Sequence, residues 1–402
     1  MQIKECDVEW GSRSGKRAGF FFRKGWYFLF RQMICKTLPT AMCHGSSLVA
    51  LPNGKVLCAW FGGSREGASD TEIWFSQASP VRTVVKAVDR NGKTVAQKHT
   101  EMVWSEPVCL TGFEEACWNP VLFFNGENVK LFFKVGDRIA NWKTYVMDGV
   151  GDPVSWTRPR ELVEGDESGG RGPVRATPVV LPTGRICAGG STERGEWRCF
   201  CDYSDDGGIT WTRSNVLELS LLDDNLTRAP ARESEKGVNT ANLPPLSSQS
   251  FQGRGVIQPV IWHEMNSRLH MFMRSTEGYL YESASDDGGK VWTSPRATRL
   301  FNNNSGFDLI RTPGGRLFMA CNPVRGNWGE RTPLTLYMGS EDGQEWEKLM
   351  KLDKGKGEFS YPSLSYNRSG LWCSYTYKRE NIAVIYLSWQ DIAASRKFRK
   401  LF

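Results

Sequence analysis

A short motif that recurs along the chain constrains the fold more than any other sequence feature. The pattern Ser-x-Asp-x-Gly-x-Thr-Trp is complete over Ser204–Trp211 and recurs over Ser285–Trp292 with Val in place of Thr. A shortened copy covers Ser340–Trp346, and Trp104 and Trp156 end two eroded copies. Successive Trp residues of these copies lie 52, 55, 81 and 54 residues apart, so a unit of roughly 50 residues repeats.

A second signal alternates with this motif. Turn residues are followed six times by a short apolar segment that predicts a strand. The predicted strands are Lys55–Phe61, Val129–Val135, Arg185–Gly189, Leu269–Arg274, Arg316–Cys321 and Leu371–Tyr377. The Ser/Asn/Pro-rich stretch 221–255 explains the one long interval as an inserted loop. Together the two signals predict an all-β fold, a six-bladed β-propeller with four-stranded antiparallel blades.

The repeats also define the expected domain boundaries. Residues 37–392 form the predicted propeller, and residues 393–402 form a basic C-terminal tail. Residues 1–36 are an N-terminal extension, and we expect it to supply the outer strand that closes the last blade. In each motif the Asp and Gly are expected to shape a local turn, and the Trp is expected to pack between neighbouring sheets.

Composition excludes several classes of function. The 402 residues carry a formal charge of only +7 and no dense stripe of Lys and Arg, which argues against nucleic acid as a partner. No apolar run is long enough for an integral membrane segment. Eleven irregularly spaced Cys and four His give no metal-ligand pattern, so we expect no metal and no cofactor. The first ten residues lack the order of a secretory signal, and cytoplasmic localisation is therefore the default expectation.

Four further segments give the chain a recognisable resemblance. They are Ala59–Asp70, Met273–Ser275, Asn322–Leu334 and Glu358–Leu364, and they occur in this order in four different repeat units. With the repeated motif, known as the Asp-box or BNR repeat, they resemble the sialidase (neuraminidase) superfamily and in particular its divergent sialidase-like branch. The resemblance covers residues 37–392 and independently implies a six-bladed propeller.

The resemblance implies a role for several residues. Arg274 and Arg331 look like two of the three arginines that hold the substrate carboxylate in that family, and planar guanidinium groups suit a carboxylate. Tyr361 looks like the nucleophile, and Asp70 looks like the acid/base that protonates the leaving oxygen. Arg65 would shape the pocket.

The chain departs from the family pattern at two positions. His44 stands where the first arginine is expected, and a protonated His44 would supply part of the missing charge. Gln258 stands where the glutamate that activates the Tyr is expected, so Glu358 or Glu277 would have to replace that glutamate. Arg175, at the start of the third unit, could also meet an acidic ligand.

Three functions follow from these residues. The first is an exo-acting glycoside hydrolase of sialidase type that releases a terminal acidic, sialic-acid-like sugar from glycoconjugates, with retention and a Tyr nucleophile. The second is a related glycosidase or lyase that acts on glycans containing uronic acid. The third is a non-catalytic carbohydrate-binding propeller, because a fold alone does not fix a function.

Overall fold

The structure is almost entirely built from β-strands. It is a computed structural model that describes residues 30–88, 94–152, 154–219 and 253–399. Most of the predicted extension 1–36 and of the predicted inserted loop 221–255 lies outside these ranges. The end of the tail, residues 400–402, lies outside them as well.

The structure describes twenty-six strands. The first thirteen are β1 (Phe30–Met33), β2 (Met42–Ala50), β3 (Val56–Gly63), β4 (Glu72–Val88), β5 (Thr94–Trp104), β6 (Val108–Cys109), β7 (Cys117–Phe124), β8 (Val129–Val135), β9 (Lys143–Val150), β10 (Ser155–Trp156), β11 (Arg160–Glu161), β12 (Val179–Val180) and β13 (Ile186–Arg194). The next thirteen are β14 (Glu196–Ser204), β15 (Thr212–Arg213), β16 (Arg254–His263), β17 (Leu269–Ser275), β18 (Tyr279–Ser285), β19 (Arg296–Phe301), β20 (Asp308–Arg311), β21 (Leu317–Cys321), β22 (Leu334–Gly339), β23 (Trp346–Asp353), β24 (Phe359–Tyr366), β25 (Gly370–Tyr377) and β26 (Asn381–Ser388). A 3-10 turn covers Ile139–Asn141, and one α-helix, α1, covers Trp389–Arg399.

Apart from β1, the strands of each sheet are close in sequence. Four sheets have the strand orders β2-β3-β4-β5, β7-β8-β9-β10, β20-β21-β22-β23 and β24-β25-β26-β1. A larger eight-stranded sheet contains β12 to β19, and a short parallel pairing of β14 with β16 joins its two halves. The other strand pairs are antiparallel. The fold is therefore mostly β, with four-stranded antiparallel sheets, and α1 is the departure from the all-β prediction.

All six strands that the turn signals predict are present. They correspond to β3, β8, β13, β17, β21 and β25, and most of their residues are buried. Because the side chains on both faces of these strands are covered, the strands appear in the sequence as nearly continuous apolar runs. Turn residues on either side of such a run are therefore enough to locate it.

The apolar core connects each sheet to the next one along the chain. One cluster joins Leu57 of β3 to Leu131 of β8, and another joins Phe132 of β8 to Ile186 of β13. Further clusters join the following sheets in turn. The last cluster packs Trp372 of β25 against strand β3 of the first sheet. Neighbouring sheets thus share buried apolar surface, and the last sheet meets the first, so the sheets form a closed ring.

Strand β1 completes the last sheet from the opposite end of the chain. It pairs antiparallel with β26, and Phe30 lies opposite Tyr386. The Arg31 guanidinium donates a hydrogen bond of 2.8 Å to the buried carboxylate of Asp353. This pairing covers an edge of the sheet that would otherwise expose unpaired backbone groups. The predicted domain boundaries themselves stay predictions.

The repeated motif shapes the turns between outer strands. Asp206 accepts hydrogen bonds from the backbone N–H groups of Ile209 (3.0 Å) and Thr210 (2.9 Å). Trp211 donates its indole N–H to the carbonyl of Gly208 at 3.2 Å. Its ring contacts Phe132 of the preceding sheet, with ring centroids 6.2 Å apart. The motif therefore stabilises its own turn, and its Trp packs in the core between two sheets.

Candidate functional site

Polar side chains on the first strands of several sheets bond to the neighbouring sheet. Ser47 accepts a hydrogen bond from the backbone N–H of Leu122 (2.8 Å), and Ser363 accepts one from the N–H of Leu48 (3.0 Å). These bonds connect β2 to β7 and β24 to β2. Buried backbone donors are satisfied in this way, which explains the many buried Ser residues on these strands.

Four of these first strands contain a β-bulge. The bulged residues Gly45, Asn119, Gln258 and Tyr361 have left-handed backbone conformations, with φ of 60°, 45°, 50° and 52°. A proline follows each of the last three, and it removes an N–H that the bulge could not have paired. A bulge redirects the side chain out of the normal alternation of a strand. It is the feature that turns Gln258 and Tyr361 toward a common cluster.

Tyr361 is the centre of that cluster. Its hydroxyl oxygen accepts a hydrogen bond of 2.8 Å from Nη1 of Arg274. The guanidinium carbons of Arg331, Arg175 and Arg274 lie 5.3, 5.6 and 5.9 Å from the centroid of its ring. The ring of His44 lies 4.4 Å away, centroid to centroid. Three cations and one phenol, drawn from distant parts of the sequence, therefore meet at one point.

Arg274 is held firmly by neutral partners. Its Nη1 also donates to Oε1 of Gln258 at 3.0 Å, and its Nε donates to Oδ1 of Asn304 at 2.6 Å. Trp197 and Trp328 flank its guanidinium carbon at 5.9 and 5.7 Å. Within the described residues, Nη2 of Arg274 makes no hydrogen bond and can take a further acceptor.

Arg331 belongs to a chain of ion pairs. Its Nη1 lies 2.7 Å from Oε1 of Glu358, and the other oxygen of Glu358 accepts from Nε of Arg379 at 2.8 Å. Arg379 then reaches Glu66 at 2.6 Å. Burial alone would raise the pKa of Glu358, but Arg331 and Arg379 hold that pKa well below its usual range. The pKa of Glu66 is lowered for the same reason. Burial would raise it, but Arg379 lowers it to about 2.

Glu358 is therefore a permanent counter-ion in this structure. Its carboxylate bonds to the two arginines and to the hydroxyl of Ser360 at 2.6 Å, and it makes no hydrogen bond to the Tyr361 hydroxyl. Glu277, the other candidate to replace the missing glutamate, instead pairs with Arg254 at 3.2 Å. Gln258 reaches the cluster, but through Arg274.

His44 does not carry the positive charge that a protonated ring would supply. Its side chain is fully buried, and burial, reinforced by Arg379, lowers its pKa to about 3. One ring nitrogen, Nδ1, bonds to Oγ1 of Thr376 at 2.9 Å, and Nε2 is buried without a partner in the part of the chain that the structure describes. Near neutral pH the ring is uncharged, because a buried cation without a hydrogen-bonded counter-ion is too costly.

Arg175 differs from the expectation of a ligand-binding arginine. Its Nη2 donates to the backbone carbonyls of Tyr361 (2.7 Å) and Pro362 (2.8 Å), and the residue is 2% exposed. A guanidinium engaged with two buried carbonyls holds the bulge in place. We therefore assign it to the support of Tyr361.

Among the described residues, Asp70 and Arg65 make no hydrogen bond to the phenol of Tyr361. Asp70 is exposed and accepts hydrogen bonds from the backbone N–H (3.1 Å) and the hydroxyl (2.9 Å) of Ser64. The carbonyl of Arg65 accepts a hydrogen bond from the hydroxyl of Thr71 at 2.9 Å. Among the described residues neither side chain bonds to the cluster around Tyr361. The loop that carries them reaches the cluster through Glu66 instead.

Two charged residues in this region were not predicted from the sequence. Arg379 lies in the turn between β25 and β26, and Glu193 lies near the end of β13. Glu193 is 7% exposed; burial raises its pKa to about 7, Arg274 opposes this shift and Glu66 adds to it. The one sequence feature that could have indicated Glu193 is its place shortly after the predicted strand Arg185–Gly189. Nothing in the local sequence distinguished Arg379 from a surface turn residue.

The site has the chemistry of an anion receptor. Three guanidinium groups, those of Arg175, Arg274 and Arg331, lie around the ring of Tyr361. Arg331 and Arg379 pair with two firmly ionised carboxylates, Glu358 and Glu66. Among the described residues no group of His, Cys, Asp and Glu is arranged to hold a metal ion. In the same part of the chain, no helix has the length and apolar character needed to cross a bilayer.

Comparison with known proteins gives a family match for this chain. A family model for a BNR repeat-like domain matches residues 54–372, which is most of the chain. A search of curated proteins with the sequence of this chain found no match.

Solved structures share the fold at low sequence identity. A protein of unknown function from Dyadobacter fermentans is 12% identical, with a TM-score of 0.64 over 89% of this chain and 97% of that one. The NanB sialidase of Streptococcus pneumoniae, as a K499G mutant, is 12% identical, with a TM-score of 0.61 over 90% of this chain and 71% of its own. The Trypanosoma rangeli sialidase in complex with sialic acid is 14% identical, with a TM-score of 0.57 over 96% of this chain. This chain spans 60% of the length of that sialidase. The fold is thus sialidase-like, which implies a propeller.

Proposed function

The chain belongs to the BNR repeat-like domain family, and we propose that it is an exo-acting glycoside hydrolase of sialidase type. In this proposal the ring of sheets has six four-stranded blades, with the halves of the eight-stranded sheet as two of them. The substrate is a glycoconjugate with a terminal acidic, sialic-acid-like sugar. The supporting observation is the 2.8 Å hydrogen bond between Arg274 and the Tyr361 hydroxyl, with Arg331 close to the same ring.

The arrangement suits an acidic sugar for an electrostatic reason. Arg274 would bind the sugar carboxylate through Nη2, which has no acceptor among the described residues, and Arg331 would add a second guanidinium beside the same phenol. Tyr361 would release its hydroxyl proton to water and attack the anomeric carbon as the bond to the leaving oxygen breaks. Water would then hydrolyse the covalent tyrosyl intermediate and restore the phenol, with overall retention. A neutral phenol avoids the repulsion that a carboxylate nucleophile would meet beside the sugar carboxylate. Asp70, on the exposed loop, would protonate the leaving oxygen.

The direct test compares Tyr361→Phe with the unaltered protein on a fluorogenic sialoside. We expect release of the fluorophore to fall by more than about 10³-fold, because the variant lacks the attacking oxygen. Tyr386→Phe is the matched control: its hydroxyl donates to the carbonyl of Ser369 on an exposed face, so activity should be retained. A Tyr361→Phe variant with full activity would remove Tyr361 from the mechanism.

A second function is favoured by the neutral residues of the site. His44 is uncharged, and Gln258 takes the place of a carboxylate next to Arg274. With fewer charges than a sialidase pattern requires, the site would also suit a glycosidase or lyase that acts on uronic-acid glycans. A screen of uronic-acid oligosaccharides for new reducing ends and unsaturated products tests this function. Binding without turnover of either substrate class would identify a carbohydrate-binding propeller.

A further inference from the structure

Glu193 occupies a special position beside the proposed site. It is the last residue but one of β13, and it lies on the same face of the strand as Ser191, two residues earlier. The hydroxyl of Ser191 accepts a hydrogen bond of 3.2 Å from the backbone N–H of Gln258. Glu193 also lies opposite Trp197 in the β13–β14 pair, and Trp197 flanks Arg274. The carboxyl group is therefore on the side of β13 that faces Gln258 and Arg274.

The carboxyl group of Glu193 has no bonded partner. It is 93% buried, yet among the described residues it makes no hydrogen bond and no ion pair. The charged and titratable groups that act on it or respond to it are Arg274 from β17, Glu66 from the loop after β3, and the thiol of Cys199 on β14. A buried carboxyl without a partner is costly, and such groups concentrate at functional sites.

Within the part of the chain that the structure describes, Arg274 has an unused hydrogen-bond donor, and Glu193 has unused acceptors. Arg274 has an Nη2 group without an acceptor among the described residues, and Glu193 has two acceptor oxygens without a donor. Burial raises the pKa of Glu193 to about 7. Near neutral pH the group therefore exchanges between an uncharged form and an anion that is attracted to Arg274.

We propose that Glu193 competes with a ligand carboxylate for the guanidinium of Arg274 and thereby sets the pH range in which the site binds an acidic sugar. The inference rests on the proposed function, since it assumes that Arg274 receives the carboxylate of the ligand. When Glu193 is protonated, Arg274 is free to bind the ligand. When it is ionised, the ligand carboxylate meets a like charge, and binding requires the uptake of one proton by Glu193.

Calorimetric titration of the full-length protein with sialic acid and with glucuronic acid, between pH 5.5 and 8.5, tests this proposal. For the unaltered protein we expect affinity to fall by about tenfold per pH unit above pH 7, as linkage to one proton requires. Titrations in two buffers of different ionisation enthalpy should show the uptake of about one proton at pH 8. Glu193→Gln should bind with nearly constant affinity above pH 7 and without proton uptake.

Two further variants separate this effect from a loss of fold. Glu193→Asp keeps a titrating group and should keep the pH dependence. Glu196→Gln alters an exposed carboxylate on the same hairpin that pairs with Arg198, and it should behave as the unaltered protein does. Thermal unfolding of each variant verifies that it is folded.

The outcomes distinguish this inference from the proposed function. Ligand binding whose pH dependence and proton uptake persist in Glu193→Gln would overturn the role of Glu193 and leave the proposed function intact. The absence of binding by the unaltered protein at every pH, with either sugar, would overturn both.

Discussion

Single residues in this protein occupy conformations that their side chains do not favour. Tyr361 has a φ of 52°, a conformation that costs an L-residue about 1–2 kcal/mol. Arg175 offsets this cost by donating to the carbonyls of Tyr361 and Pro362. Backbone strain of this kind persists only where the surroundings enforce it, and it clusters at functional sites. The phenol is thus positioned by buried polar contacts, which local sequence does not reveal.

Replacement of Glu193 by Gln is expected to change the pH dependence of stability. The folded pKa of Glu193 is raised from 4.5 to about 7, so between these values the folded state binds more protons than the unfolded state. Stability of the unaltered protein therefore falls as the pH rises through this window. The Glu193→Gln variant lacks this loss of stability. Between pH 4.5 and pH 8 its free energy of unfolding should therefore rise by about 3 kcal/mol relative to that of the unaltered protein. Urea unfolding at both pH values measures the gain; an equal difference at both would contradict it.

At the scale of elements, the end of β3 controls the loop from Ser64 to Asp70. Gly63 is the last residue of β3, and a Cβ atom there would lie 2.8 Å from the carbonyl oxygen of Asp70 and 2.9 Å from Cα of Thr71. Only glycine permits this close approach of two backbone segments. The loop carries Asp70 and also Glu66, which connects it to the ion pairs of the site.

Gly63→Ala should therefore disturb this loop. Two backbone segments would have to separate, and we expect a loss of about 1–3 kcal/mol in the free energy of unfolding, as for other overpacked positions. Gly112→Ala is the control, because a Cβ atom there meets nothing within 4 Å, and it should change stability by less than about 0.5 kcal/mol. Urea unfolding of both variants measures the difference. Equal stability of the two variants would show that the loop adapts freely.

Elements were more predictable than the contacts between them. The turn signals located β3, β8 and β17 because a strand buried on both faces leaves a continuous apolar run. Tyr361 and Arg274 were found through motif order, and they do meet. The ion pair between Glu66 and Arg379 joins residues more than 300 positions apart, so no local pattern could indicate it.

Predictions for Asp70 and His44 show a second limit of sequence reasoning. The position of a residue in a motif predicts its place in a strand or loop. Its protonation state and the groups that its side chain contacts depend on the surrounding residues. His44 is uncharged because it is buried beside Arg379, and Asp70 bonds to its own loop through Ser64. Both properties arise from packing that forms only in the folded ring.

At the scale of the whole molecule, the pairing of β1 with β26 closes the last sheet. The Arg31–Asp353 bond lies beside it, and the hydroxyl of Tyr375 donates to the same carboxylate oxygen of Asp353 at 2.8 Å. The side chain of Asp353 is only 4% exposed, so the loss of Arg31 would leave a buried anion with one donor fewer.

Arg31→Met should therefore lower the free energy of unfolding by about 1.5–3 kcal/mol, the range for a hydrogen bond to a charged group. Arg138→Met is the matched control, because its partner Asp137 lies 3.9 Å away and both side chains are more than half exposed. Its effect should stay below about 0.5 kcal/mol. Chemical denaturation of both variants measures these values. An Arg31→Met variant as stable as the control would show that the closing strand does not need this ion pair.

The partnership of β1 and β26 also has a consequence for biosynthesis. Phe30 and Tyr386 lie opposite each other, although more than 350 residues separate them in the chain. While the protein is being translated, β1 leaves the ribosome long before the strand that it will pair with has been made. Contacts between such distant residues also form slowly, because a long loop must close first. The nascent protein must therefore keep β1 unpaired until β26 has been synthesised, and the sheet that contains both strands can assemble only after that point.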